Sequence, residues 1–273
     1  MPLDLTNVDR LLEAYVQTDG DTGGAEVFFW AEGSVYAWIP GVGGYHLFDE
    51  QLFAVRRFKR LARGWLRLHK EAGVYLDKDT GKLLERWRNP FTGREVEVFQ
   101  LKNDPVNREH LPEQQGTVWG MEHWENGDTV CFYRNVFVAR EADMKVAQYP
   151  LQAQGDLHEF GELYNFFASR KALEQPGATS VPMVGCNSRI GQWLPWMEMG
   201  QQRGYLMVQL RFKKVAGVGD LHPLMRDYWM KQDPSIFVAP EAITGPNDTS
   251  WSYYRKVVDQ RRREQAVRGE PVK

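Results

Sequence analysis

The run L-F-A-V-R-R-F-K-R-L-A-R-G-W-L-R-L-H-K-E-A-G-V-Y-L (residues 52–76) sets apolar and charged side chains next to one another along most of its length. Alternation such as Val55-Arg56 and Trp65-Leu66-Arg67-Leu68-His69 has the period of a strand with one wet face. Extended stretches are expected at 53–61, 64–71 and 73–76, then at 83–88 and 95–101. The turns D-K-D-T-G (77–81) and N-P-F-T-G (89–93) separate the last of them. Strands in series with short connections make an antiparallel meander. The expected class is therefore α+β: mainly antiparallel β, a meander closing into a barrel or strongly curved sheet, with a few peripheral helices.

Working outward, residues 8–17 read as a helix with Val8, Leu11, Leu12 and Tyr15 on one face and Thr6 or Asn7 as its cap. D-G-D-T-G-G ends it. A hairpin is expected next, with strands at 27–30 and 35–39 around a turn at Glu32-Gly33. G-V-G-G-Y (41–45) has a superficial likeness to a dinucleotide fingerprint, but strand-like Y-H-L-F follows where a helix should begin. Further on, 117–124 and 128–139 read as a strand pair. Residues 155–171 shift to helical spacing, with Leu157, Phe160, Leu163 or Tyr164, and Phe167 on one face and His158, Glu162 and Asn165 on another. A short extended piece is expected at 178–184, a strand at 205–215 and a helix at 220–232. The chain closes on a basic helix carrying Arg261, Arg262 and Arg263, capped by Asn247 or Asp248. With no fixed repeat and no linker, residues 1–273 are expected to form one domain. The basic tail, 255–273, is either a solvated face or an arm reaching a second subunit of a homo-oligomer.

Composition excludes several classes. A formal net charge of −2 and a pI near 6.3 supply no basic field for nucleic acid. Cys131 and Cys186 are too few and too far apart for a disulfide framework or a zinc site. The acidic start M-P-L-D-L-T-N-V-D-R is unlike a signal peptide, and no stretch nears the roughly 18 apolar residues of a membrane span. These features lead to the expectation of a soluble cytoplasmic protein without membrane partners. Ten tryptophans, with 14 Phe and 11 Tyr, coexist with a mean hydropathy of −0.52. Rings spread among charges suit half-buried strands and a flat ligand stacked against them.

Three stretches carry the candidate site. V-G-C-N-S-R-I-G-Q-W-L-P-W-M-E-M-G-Q-Q-R-G-Y (184–205) places Trp193 and Trp196 in an irregular segment close to Arg189. Such indoles either plug one end of the fold or wall an aromatic pocket in which Arg189 is the fixed cation. N-D-P-V-N (103–107) is a turn rich in side-chain bonds, or it presents Asn103, Asp104 and Asn107 to a site. His158 and Glu162 form part of a solvated stripe, or reach the same cavity. Motifs for a nucleophilic serine, a phosphate loop, a flavin or a nicotinamide are lacking, and the six histidines show no metal spacing. The expectation is chemistry by side chains alone, with neither metal nor organic cofactor.

L-D-K-D-T-G-K-L-L-E-R-W-R-N-P-F-T-G (76–93), N-D-P-V-N (103–107), E-L-Y-N-F-F-A (162–168), S-R-I-G-Q-W-L-P-W-M-E-M-G (188–200) and N-D-T-S-W-S-Y-Y (247–254) together resemble a bacterial family known as domain of unknown function 1838. Members often look exported, whereas this start carries no such signal. No catalytic residue transfers from the resemblance. It implies a link with bacteria that degrade aromatic compounds, and so a lyase that removes a hydroxymethyl carbon as formaldehyde from a lignin-derived phenolic diaryl molecule, leaving a stilbene. Such chemistry needs a base, for which Asp104 and His158 are candidates. It needs a stabiliser of an oxygen anion, for which Arg189 with Tyr253 or Tyr254 is the candidate. Aromatic walls would come from Trp193, Trp196 and Trp251, with Asn103, Asn107 and Glu162 as further binding groups. The alternative is a non-catalytic, lipocalin-like binder of a hydrophobic or aromatic ligand.

Overall fold

The computed structural model describes residues 3–114 and 120–268. Helix α1 (Val8–Asp19) starts where Asn7 accepts the N–H groups of Asp9 and Arg10, which the first turn leaves without helical partners. Strands β1 (Val27–Ile39), β2 (Gly43–Arg60) and β3 (Trp65–Leu76) follow as long antiparallel neighbours. A ribbon of β4 (Arg86–Arg88) and β5 (Glu95–Glu97) stands apart, and β6 (Lys102–Asn103) and β7 (Arg108–His110) pair with the outer edge of β3. Then come β8 (Glu122–Asn126), β9 (Thr129–Glu141), β10 (Leu157–Ser169), α2 (Arg170–Leu173), β11 (Val184–Gly191), β12 (Tyr205–Val215), α3 (Pro223–Gln232) and α4 (Ser250–Arg268). The principal sheet runs β6-β3-β2-β1-β12-β11-β10-β9-β8, every pair antiparallel. Strands from both ends of the chain therefore meet at its centre, β1 against β12.

Three expectations are corrected. The hairpin turn at Glu32-Gly33 does not exist, because β1 passes straight through it. Gly33 lies between Glu50 and Leu210, and a Cβ there would stand 1.8 Å from the Gln209 carbonyl oxygen. The glycine serves close approach between strands, not reversal. Residues 155–171 are strand β10 rather than a helix, paired along its length with β9 and β11. The helical spacing of its apolar residues was one of two periods present. The set His158, Phe160, Glu162, Tyr164 and Phe166 repeats every second residue, and pairing on both edges selects that period. The ladder also does not close into a barrel. Its edges are β6, β7 and β8, of two, three and five residues, and among the described residues they pair with no further strand. Edges this short leave little ladder to extend. Residues 117–119, expected to open a strand, lie outside the described residues, as do 269–273 of the expected tail.

Burial explains the charges on β2 and β3. On one face Phe53, Ala72 and Val74 pack beneath Leu221, Met225 and Trp229 of α3 and its approach. On the other, Phe48 belongs to an aromatic core at one end and Phe58 to a second core around α1 at the other end. Between them the same face of β2 carries Glu50, Leu52, Ala54 and Arg56, and that of β3 carries Arg67, His69, Glu71 and Tyr75. The face expected to be wet is enclosed. Among the described residues no helix is long and apolar enough to cross a membrane.

Candidate functional site

A cavity of about 1010 Å³ lies on this enclosed face. Its cover is made of two sequence stretches zipped together. Asn107 N donates to Asn247 Oδ1 at 2.7 Å and Asn247 Nδ2 to the Asn107 carbonyl at 3.0 Å. The backbones of Asp104 and Pro105 bond that of Asp248, and Ser250 N donates to Asn103 Oδ1 at 2.8 Å. The Asp104–Pro105 peptide is cis. The turn at 103–107 and the entry to α4 thus form one lid, which hands Asn103, Asn107 and Trp251 to the cavity.

Arg189, on β11, is held from three sides. Its Nε is 3.4 Å from Glu162 Oε1, and its guanidinium sits over the rings of Phe160 and Trp251, 4.9 and 5.0 Å from their centroids. Glu162 also accepts from the Tyr164 hydroxyl at 2.9 Å. The His158 ring lies 4.7 Å from Trp251, and burial followed by the charges of Arg189 and Arg140 lowers it to about 4, so the imidazole is neutral at pH 7.

The two carboxyl groups that β2 and β3 turn to the cavity behave oppositely. Glu50 is 3 % exposed, and its carboxyl makes no hydrogen bond or ion pair among the described residues. Burial, with the carboxylate of Glu71 adding and Arg189 opposing, pushes it up to about 8. Burial acts on Glu71 in the same direction, but there it is outweighed. His69 is 3.1 Å from one carboxylate oxygen, Asn103 donates to the other at 2.6 Å, and Arg56 adds a positive charge. Glu71 is held at about 2. His69 itself falls to about 4 through burial and the charges of Arg56 and Arg67. Tyr75 and Tyr164 stay phenols, because burial and nearby carboxylates raise both well above the usual phenol value. At neutral pH β2 and β3 therefore present a proton-bearing carboxyl and an ionised carboxylate to a cavity that also holds the clamped guanidinium of Arg189, a separation of roles typical of acid–base sites.

Of the residues singled out from sequence, Arg189, His158, Glu162, Asn103, Asn107 and Trp251 line this cavity. Asp104 does not; its carboxylate is 3.3 Å from Lys70 Nζ. Tyr253 lies behind the lid, donating to the Asp104 carbonyl at 3.0 Å, and Tyr254 is buried against Phe99. Trp193 and Trp196 line no part of it. Trp193 is buried with its N–H on the Gln202 carbonyl at 2.9 Å, and Trp196 packs with Phe48, Tyr75 and Trp87 at 5.5–5.8 Å. Of the two readings of 184–205, these indoles take the plug and Arg189 takes the pocket. Sequence reasoning missed Glu50, Glu71, His69, Arg134, Tyr75 and Tyr164. The available signal was charge on the same strand parity as Phe48, Leu52 and Phe58, a face on which apolar residues alone would otherwise be expected. Among the described residues no group of three or more His, Cys, Asp or Glu is placed to hold a metal ion.

The model of the family described as "Protein of unknown function (DUF1838)" matches residues 24–258, which take in every cavity residue named above. No curated protein matches the chain.

Proposed function

Starting from a chain that belongs to the DUF1838 family, we propose that the cavity is the active site of a cofactor-independent lyase acting on a bulky phenolic diaryl molecule. The single observation that carries this reading is an unpartnered, buried Glu50 near a guanidinium that is fixed before any ligand arrives. A group with a pKa near 8 both takes and returns protons close to neutral pH. A preset cation stabilises an oxygen anion without reorganising. The volume of about 1010 Å³ is at the upper end for small-molecule sites and accommodates two aromatic rings. Phe29, Phe160, Tyr164, Phe212 and Trp251 supply the walls assigned from sequence to Trp193 and Trp196.

The reaction is redox-neutral. Ionised Glu50 takes the proton of the primary hydroxyl, and the oxygen's electron pair forms the C=O of formaldehyde. The bond from that carbon to the chain breaks, and its electrons become the stilbene double bond. They expel the oxygen substituent on the neighbouring carbon, which Arg189 stabilises and which takes back the proton from Glu50. Atoms and charge balance without an oxidant, reductant or metal. Asp104, the base expected from sequence, has no place in this scheme because its carboxylate faces Lys70 outside the cavity.

The test is a panel of lignin-derived phenolic dimers bearing a hydroxymethyl group, with formaldehyde and stilbene measured in equal amounts. Stoichiometric release by the wild type, lost in Glu50→Gln, supports the reading. Binding without turnover by both proteins sinks it in favour of the carrier, which the size of the cavity alone also suits.

A further inference from the structure

The side of the cavity against α1 is built differently from the side holding Glu50 and Arg189. Four guanidiniums converge there. Arg67 and Arg108 stand directly opposite each other across the β3–β7 ladder, Arg56 stands opposite His69 on β2–β3, and Arg134 arrives from β9. All four line the cavity, and all four bear on His110, which packs 5.3 Å from Tyr15 of α1. Glu50 responds instead to Arg189 and Glu71. The cavity therefore has two chemically distinct sides.

Among the described residues, the carboxylates on the α1 side are fewer than its guanidiniums. Asp19, fully buried, pairs with Arg56, lies 3.9 Å from Arg67 and accepts from the Tyr15 hydroxyl at 2.9 Å. Glu71 is committed to His69 and Asn103. Glu109 is exposed, and the two histidines are neutral at pH 7. Arg134 is 3 % exposed and packs over the Tyr164 ring at 5.4 Å, while its Nε and Nη1 have no hydrogen-bond partner among the described residues. Like charges directly opposite on a ladder are destabilising, and a buried cation without a counter-ion is costly. An arrangement of this kind becomes favourable when an anion enters, and a planar fork of N–H donors suits a carboxylate.

We infer that the α1 side of the cavity is an anion subsite, in which Arg134 and Arg67 receive a carboxylate carried by the aromatic substrate. This rests on the proposed function for the identity of the other half of the ligand, and it narrows the substrate class to aromatic acids. The carboxylate docks at the arginines, and the rest of the molecule extends along the sheet face to Glu50 and Arg189.

Calorimetric titration at pH 7.5 with 4-hydroxycinnamate and with its methyl ester tests the inference, since the pair differs chiefly in the anion. The wild type should bind the acid at least tenfold more tightly than the ester. Arg134→Met should reduce that preference below threefold, whereas Arg189→Met should weaken acid and ester alike. Equal affinity of the wild type for acid and ester overturns the subsite, and this comparison needs no variant to fold. So does a preference left intact in both Arg134→Met and Arg67→Met, or inorganic phosphate binding as tightly as the aromatic acid. A protein that prefers the acid but releases no formaldehyde keeps the subsite and loses the lyase; turnover without acid preference does the reverse.

Discussion

Residues 184–205 divide at Gly191 into two regions that share a sequence neighbourhood and little else. Before it, β11 is extended, paired with β10 on one edge and β12 on the other, and it sends Asn187 and Arg189 into a cavity. After it, the 3-10 turn Pro195–Met197 and its flanks bury Trp193, Trp196, Met197 and Met199 in a core away from the cavity, which only Leu194 of this stretch reaches. The aromatic-rich half supports the fold and the aromatic-poor half faces the cavity. Rings find cover wherever apolar atoms are available, so their abundance says only that something is covered. A guanidinium or carboxyl that is enclosed and left short of partners is far more selective for a site.

The contrast can be broken at either half. In the plug, Trp196→Ala removes a buried ring from a cluster with three other aromatics and should lower stability by about 3–5 kcal/mol, read by denaturant titration. If it instead abolishes ligand binding at unchanged stability, the plug is part of the site. In the cavity, Glu50→Gln should cut formaldehyde release about 1000-fold with the thermal midpoint retained or raised at pH 7. Arg189→Met should lower turnover about 100-fold, with a larger effect on kcat than on KM, because in the proposed reaction the charge it meets develops only as bonds break.

Smaller effects follow from pH. Glu50 is raised in the folded state, so its contribution to stability is fully present below its unfolded value and is lost as pH rises towards about 8. Thermal midpoints of the wild type should therefore fall relative to Glu50→Gln between pH 5 and 8, by the equivalent of a few kcal/mol at most. Turnover should rise over the upper part of that range as Glu50 loses its proton. His69 and His158 have the opposite sign. Both are depressed to about 4, so the stability they contribute is present above their unfolded value and disappears as pH falls from about 6.5 through 4. The smallest expected change is Tyr253→Phe, which loses one hydrogen bond to the Asp104 carbonyl and should cost about 1 kcal/mol without altering turnover.

Legibility differed by element for physical reasons. The Asn7 cap, α1 and the strand at Tyr205–Val215 are written in local chemistry, and they stand where the residues placed them. Strand β10 was misread because its residues satisfy two periods, and only the neighbours β9 and β11 choose between them. In the site, Arg189, Asn103 and Asn107 were legible because they sit in turns or beside unusual rings. Glu50, Glu71 and Arg134 were not. On a strand, an alternating charge has the same appearance whether it meets water or a cavity.

What the residues determined unaided is the antiparallel, strand-rich architecture, since period-two alternation and turn chemistry act over a few positions. What only the assembled sheet decided is which charged face is enclosed. That depends on α1, the lid at 103–107 and the start of α4 coming together from opposite parts of the chain. Once those side chains are buried, ordinary carboxyls and guanidiniums become groups with shifted protons and unmet charge, and no local pattern records the burial.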